Sequence, residues 1–567
     1  MTDQLTTGGA HPQPATGLQA SAIALAFGLL LGCAATKPPG PLLRPPLMEG
    51  VGQSTLAIST HSERAQLYFN QGLSLLHGFW YYEAMLAFAE AARLDSSSAM
   101  AHWGIYYSIT ANNKVGHRRK KRQALQRAKA LMTTASAHEQ SYIRASTLLD
   151  SLPYRRGGPA YVRQMQALID QYPDDAEAKL ILFRFLVRNR NLDLPPDLAK
   201  PRLQELLRDL LDSHPEHPGA HHYWIHLVEG GPHLQEALPS AKKLPSLTPN
   251  AGHLMHMPGH VYYRLGMYER ARQAFIAAMK VDSSYMARRR VPVTRTWNYV
   301  HNLSYLLANC AEDGRYREGL QWAERLAKVP LHARRPLFFY QGRMALPRLH
   351  MRYGRWQQAV RELAKITAND TLAQTFAQDY ANCALAYAKG MAAVAEGRLT
   401  AAAVQAEAIE EFQWKFTFST GETRDVFYSR RRVNAISLWA LDLKGHIHSA
   451  RDESASAVDL LQQATEQQQR LGYPDPPKSA RLAWESLGAA QLRAQHWQAA
   501  RQAFAKALEI RPHNGHALWG VARSYELSGQ TAAAVEAYRD FLRHWNNADE
   551  ELPQMRHART WLAARSQ

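Results

Sequence analysis

Apolar and small residues recur along this chain at the three- and four-residue steps of helices with one buried face, and these helices come in twos. The clearest double reads Trp484-x2-Leu487-Gly488, then Ala500-x3-Phe504, Ala507 and Pro512. The next has Leu518, Val521-Ala522, Tyr525, Ala534 and Tyr538. An early one has Tyr68, Gly72, Ala84-x3-Phe88 and Ala91, and a central one Gly259, Tyr262, Ala271-x3-Phe275 and Ala278. In each, a small residue on one helix faces a large one on the next, which lets two helices cross closely. Weaker doubles cover 217–249, with Ala237-x3-Ala241 and Pro249, and 300–330, with Gly314, Tyr316 and Leu326. Residues 337–366, 383–410 and 433–470 keep the helical period with poor agreement. Breaks near 153–158 and 189–201, and the apolar-poor stretch 411–432, predict irregular connections. Runs of Val, Ile and Thr are scarce, so no sheet is expected.

These signatures are those of the tetratricopeptide repeat (TPR), a helical hairpin of 34 residues. The expected fold is an all-α, right-handed TPR superhelical solenoid of about ten hairpins, whose first helices line a concave inner face. At 567 residues the chain exceeds one compact core, which a solenoid accommodates. The expected organisation is a signal peptide over 1–32, a Pro-rich tether over 33–60 and N-terminal hairpins over 61–150. An irregular helical region follows over 151–217, then central His-lined hairpins over 218–330 and divergent repeats over 331–470. C-terminal hairpins occupy 471–552 and a helix or tail 553–567.

The repeat period also carries chemistry. His222 and His226 recur 34 residues later as His256 and His260. Positions 2, 5 and 9 of a TPR first helix face the groove on one stripe. Starting the repeats at 218, 252 and 300 puts His222, His226, His253, His256, His260 and His301 on six of those nine positions. Only 25 histidines occur in the whole chain, so chance is a poor account. Two imidazoles at i and i+4 chelate a metal, and a third from the neighbouring helix completes a three-nitrogen set suited to zinc or copper. Glu229, on the same helix as His226, is a candidate carboxylate ligand or general base on a metal-bound water. Tyr263 and Arg264, one turn beyond His260, are candidates for binding an anionic group or peptide in the groove. Plainer roles compete: each histidine satisfied by a neighbour such as Tyr223 or Tyr299, or bonded to a partner's backbone. His221 is expected to pack between helices, and His117, His138, His513, His516 and His544 to be surface or turn residues.

The segments Pro218-Gly219-Ala220-His221-His222-Tyr223-x2-His226, His256-Met257-Pro258-Gly259-His260 and His301-Asn302-Leu303 resemble a group of uncharacterised bacterial TPR proteins. Glu485-Ser486-Leu487-Gly488-Ala489 and Asn514-Gly515-x2-Ala517-Leu518-x-Gly520 extend the likeness over about 65–552. Serine is common in that group where Gly259 stands. The resemblance implies fold and compartment, and no particular reaction.

Net charge is +18, an excess that can serve nucleic acid or an anionic membrane. The basic residues are spread along the repeats, and the one dense run, His117 to Arg122, opens a solvated helix. No nucleic-acid partner is therefore expected; a protein or peptide is. Residues 20–31 form an apolar stretch suited to a signal peptide, ending Leu30-Leu31-Gly32-Cys33-Ala34. This resembles a bacterial lipobox, which would lipidate Cys33 and anchor the chain in the cell envelope on the periplasmic side, with Ala34 pointing to the outer membrane. Residues 1–19 lack Lys and Arg, a departure from basic signal starts, and a disordered tail with a chance apolar patch is the competing reading. Cys310 and Cys383 sit in apolar helical segments and read as buried thiols, a bridge between them being the alternative.

No dinucleotide fingerprint, P-loop, GxSxG elbow or HExxH motif is present. Three readings follow. The leading one is an envelope binding or scaffold protein whose histidine groove holds a transition metal or small ligand. The second is a metal-dependent enzyme, hydrolytic or oxidative, using Glu229. The third is a metal-free peptide adaptor, which requires a long, open, basic groove at the histidines.

Overall fold

Phe88, Phe275 and Phe504 show how the hairpins lock. Each ring is buried and lies where the facing helix carries a glycine. A methyl group at Gly72 would stand 2.5 Å from Phe88, one at Gly259 2.2 Å from Phe275, and one at Gly488 2.7 Å from Phe504. The following hairpin brings a second glycine to the same ring, Gly104 to Phe88 and Gly520 to Phe504. One phenylalanine thus fixes both the crossing within a hairpin and the step to the next. At Gly259 any larger residue, serine included, requires Phe275 to shift.

The computed structural model describes residues 44–112, 117–189, 200–331, 335–417, 425, 427–472 and 480–565. Its 25 α-helices run from Glu63–His77 to Pro553–Ala563, with a π-helical turn at Phe338–Arg343 and no strand among the described residues. The first 24 helices form twelve consecutive hairpins and the last closes the stack. None of the described helices is long and apolar enough to cross a membrane. The all-α TPR solenoid is therefore as expected, with more hairpins than the ten counted from the repeats. Cys310 and Cys383 are buried free thiols, which excludes the bridge.

Three expectations change. The break at 153–158 is only Leu152 and Pro153; helix Tyr154–Gln171 continues through Gly157, Gly158 and Pro159. Gly157 serves close approach, since a methyl there would lie 3.0 Å from the Leu148 carbonyl. The 411–432 stretch is helical to Thr417 and again from Arg430, while 418–424 and 426, like 190–199, lie outside the described residues. From residue 45 onward the predicted tether is a strap packed on helix Glu63–His77. Tyr68 donates to the Pro45 carbonyl (2.9 Å), Met48 N–H to Gln71 (2.6 Å) and Ser54 N–H to Ser74 (3.0 Å). Val51 and Leu56 are buried beneath it. Proline enforces the extension; alternate side chains still find a core to enter. Residues 33–43 of the tether, the signal segment 1–32 and Cys33 lie outside the described residues.

The array also closes on itself. Tyr285 donates to Glu83 (2.8 Å) and Arg289 pairs with it (3.2 Å), joining helix Tyr268–Arg289 to helix Tyr81–Leu94. Further on, Tyr268 reaches the Pro512 carbonyl (2.8 Å), Trp545 Nε1 the Glu312 carbonyl (2.8 Å) and Asp549 N–H the Gly314 carbonyl (3.0 Å). His516, expected at the surface, is half-buried here against Trp545 and Tyr353. These returns enclose the inner faces.

Candidate metal centre

Three helices carry the histidines, Pro218–Val228, Gly252–Arg264 and Trp297–Glu312. The first is capped by His217, whose side chain accepts from Gly219 N–H, with Pro218 preset at the first turn. The second begins at Gly252, where a methyl would stand 2.0 Å from Asp282 Oδ1. Only glycine lets that carboxylate approach. On these helices His222, His226, His253, His256, His260 and His301 all point inward, as the register predicts. His222, His256 and His260 are wholly buried, and His226 is the most open, its side chain 25% exposed.

The six divide into two sets. His222, His226 and His253 bring one ring nitrogen each within 4.8 Å of one another, and so do His256, His260 and His301. Rings of the two sets adjoin, at 6.1 Å for His253 and His256 and 6.3 Å for His226 and His260.

Hydrogen bonds fix the tautomers of five rings. His222 Nδ1–H donates to the His77 carbonyl (2.6 Å). His253 Nδ1–H donates to Asn298 Oδ1 (3.1 Å), whose amide is oriented by donating to Asp282 (2.8 Å). His256 Nδ1–H donates to Asn302 Oδ1 (2.9 Å), whose amide in turn donates to the Phe275 carbonyl (3.0 Å). Glu229 accepts from Nδ1–H of both His226 and His260 (2.8 Å each). In each neutral ring the remaining Nε2 then carries a lone pair. These lone pairs converge: Nε2 of His222 faces Nε2 of His253 at 3.2 Å, and Nε2 of His256 faces that of His260 at 2.7 Å. His226 Nε2 is buried without a hydrogen-bond partner.

Burial pushes the pKa of His222, His253 and His256 well below the usual imidazole value, and neighbouring imidazoles push it further. They are held neutral, the form that ligates metal. Burial alone would raise Glu229, but His226 and His260 hold its carboxyl well below the usual range. The outcome is one anion behind two rings of opposite sets, an arrangement that orients metal-ligating imidazoles and raises their basicity. Both Glu229 oxygens are engaged by imidazole N–H groups. The carboxylate therefore stands behind the nitrogens, which corrects its expected place as ligand or base.

Aromatic rings wall the two sets. Phe79 lies 4.6, 5.7 and 5.2 Å from His222, His226 and His253, in the left-handed region at φ 57°. Tyr305 lies 4.3 Å from His260 and 5.3 Å from His301. Tyr223 bonds His77 (3.0 Å) rather than any of the six. Behind His222, Glu177 joins His77 (2.6 Å) and His217 (3.1 Å). His221 packs between helices as expected, bonded to Ser240 and to the Pro215 carbonyl. Tyr263 and Arg264 stand apart from the histidines and line a cavity beyond Tyr305. Sequence reasoning missed His77, Phe79, Asn298, Asn302 and Tyr305. Of these only the asparagines left a signal, four residues apart and flanking His301.

Fold and site together define a closed helical-repeat solenoid around a buried polyhistidine centre. The tetratricopeptide-repeat family matches residues 253–285, the histidine helix and its partner, and again 516–545. The chain is thus a TPR-containing protein. No curated protein matches it. Among solved structures, human IFIT1, a dimer with m7Gppp-AAAA, aligns at 12% identity and a TM-score of 0.34, covering 83% of this chain and 94% of that one. Yeast Tom70 aligns at 11% identity and a TM-score of 0.29, covering 88% and 95%. At these scores neither bears on ligand or partner.

Proposed function

We propose that this TPR scaffold is a metalloprotein whose two three-histidine sets each bind a transition-metal ion, zinc or copper. The single observation behind this reading is the convergence of Nε2 lone pairs whose opposite nitrogens are all committed. Two acceptors facing each other in a buried site repel unless a cation lies between them. Two nitrogens about 2.0–2.1 Å from one ion at a tetrahedral angle stand about 3.3 Å apart; His222 and His253 stand at 3.2 Å, while His256 and His260, at 2.7 Å, must part to admit an ion. Elemental analysis of tag-free protein tests it. About two ions per chain are expected, falling by half in His256→Ala and to near zero in His222→Ala with His256→Ala. Sub-stoichiometric metal that the double substitution leaves unchanged would overturn the reading.

Three protein nitrogens leave a coordination position open, which supports a second reading as a metal-dependent enzyme, hydrolytic or oxidative. In it Glu229 acts through the imidazoles rather than as base. The metal-free peptide adaptor has less support, because Phe79 and the burial of the rings plug the groove where such a peptide would lie. The scaffold itself suits a protein partner. Cell-envelope anchoring through Cys33 remains part of the proposal on the strength of the apolar 20–31 stretch; an N-terminal acyl-cysteine found by mass spectrometry of cell-derived protein tests it.

A further inference from the structure

Beyond Tyr305, residues between Tyr263 and Arg511 line a partly open cavity of about 380 Å³, within the range of small-molecule sites. Tyr263 forms its wall toward the histidines, its ring 6.0 Å from Tyr305. The lining combines flat rings with guanidinium groups, and Glu509 is its one carboxylate among the described residues.

Two of the arginines are decisive. Arg348 donates to its own helix at the Met344 carbonyl (3.1 Å) and forms no ion pair among the described residues. Burial lowers its pKa, and the Tyr380 phenol acts the other way. Arg432 lies over the Tyr340 ring at 3.6 Å and donates to the Phe427 carbonyl (3.2 Å), with no ion pair among the described residues. Both cations act on the Tyr380 phenol, whose ring lies 5.1 Å from Tyr340, the ring beneath Arg432, and 5.0 Å from Trp439. Uncompensated guanidinium forks recognise carboxylate, phosphate or sulfonate. Tyr340, Tyr380 and Trp439 offer planar apolar faces to the remainder of a ligand.

We propose that this cavity binds a small organic anion with a flat, apolar body, its acidic group held by Arg348 and Arg432. The site is separate from the metal centre and does not depend on it.

Calorimetric titration of the full chain with phenyl phosphate, inorganic phosphate and benzyl alcohol tests this. Phenyl phosphate is expected to bind at least ten-fold tighter than either part alone. Arg348→Met and Arg432→Met should each weaken it ten-fold or more, and His256→Ala should leave it unchanged. Should Arg348→Met misfold, Arg348→Lys keeps the charge but loses the fork, and a several-fold weakening is expected. Equal binding of phosphate and phenyl phosphate, no phenyl phosphate binding, or full affinity in the arginine variants would overturn the proposal. Loss of metal from His222→Ala with unchanged phenyl phosphate binding separates the two sites.

Discussion

Two buried polar clusters lie on the inner faces of this solenoid, and they are satisfied in opposite ways. Where the C-terminal repeats return, Arg352 contacts Glu312 (2.8 Å), Glu485 (3.0 Å) and Asn514 (3.0 Å), while Arg511 contacts Glu312 (2.7 Å). Two cations meet two anions, and the terminal guanidinium nitrogens of Arg352 find acceptors while its Nε stays unbonded. Around His222 and His256 the outer nitrogens are equally well bonded, but the inner ones are acceptors facing acceptors. A cluster of the first kind is complete and holds the fold together. One of the second kind leaves a place for a cation. Burial and polarity do not tell them apart; the balance of donors and acceptors does.

The largest effect should come from breaking the complete cluster. Glu312→Ala leaves two buried guanidinium groups short of their shared partner and is expected to cost about 3–5 kcal/mol, read from urea unfolding. A loss under about 1 kcal/mol would place the closure elsewhere. Chelation, by contrast, should destabilise the histidine region and leave this one intact.

A smaller effect tests the outer bonds of the histidine centre. Asn302→Ala removes the acceptor that fixes His256, and metal affinity should fall about 10–100-fold with stoichiometry kept. Competition against a chromogenic chelator measures it, and unchanged affinity would mean that the ring is held by packing alone.

A pH-dependent effect concerns Asp282, which orients Asn298 behind His253. Burial raises its pKa from 3.8 to about 7, against the lowering effect of the Asn298 amide. The folded state thus holds the proton more tightly than the unfolded one. Its contribution is fully present below about pH 3.8 and is lost as pH rises toward 7. Asp282→Asn should flatten stability across that window. A slope equal to that of the parent chain would assign the pH dependence to other groups.

The histidine positions were legible because repeat geometry fixes which residues face inward once Gly259, Phe275 and Gly314 set the register. Glu229 was placed in the right region with the wrong task. Its proximity to His226 follows from helical spacing, but its bond to His260 depends on how two hairpins stack. The His77 carbonyl escaped entirely, since a backbone atom 145 residues away leaves no side-chain signature. The strap was misread for a related reason. Prolines at 45 and 46 declare an extended backbone and say nothing of what it lies against. Tyr263 and Arg264 do line a cavity, but Arg348 and Arg432, which share it, come from repeats too divergent to register.

The contact between Glu83 and helix Tyr268–Arg289 has a kinetic side. An open repeat array unfolds from its ends, one neighbour at a time, and folds from any point along its length. Here residues 202 and 206 positions apart must meet before the first turn is whole. Chain closure over that distance slows folding, and once made it removes the free edge from which fraying would start. The histidine hairpins therefore open with the ring as a unit, on the slow timescale of its unfolding.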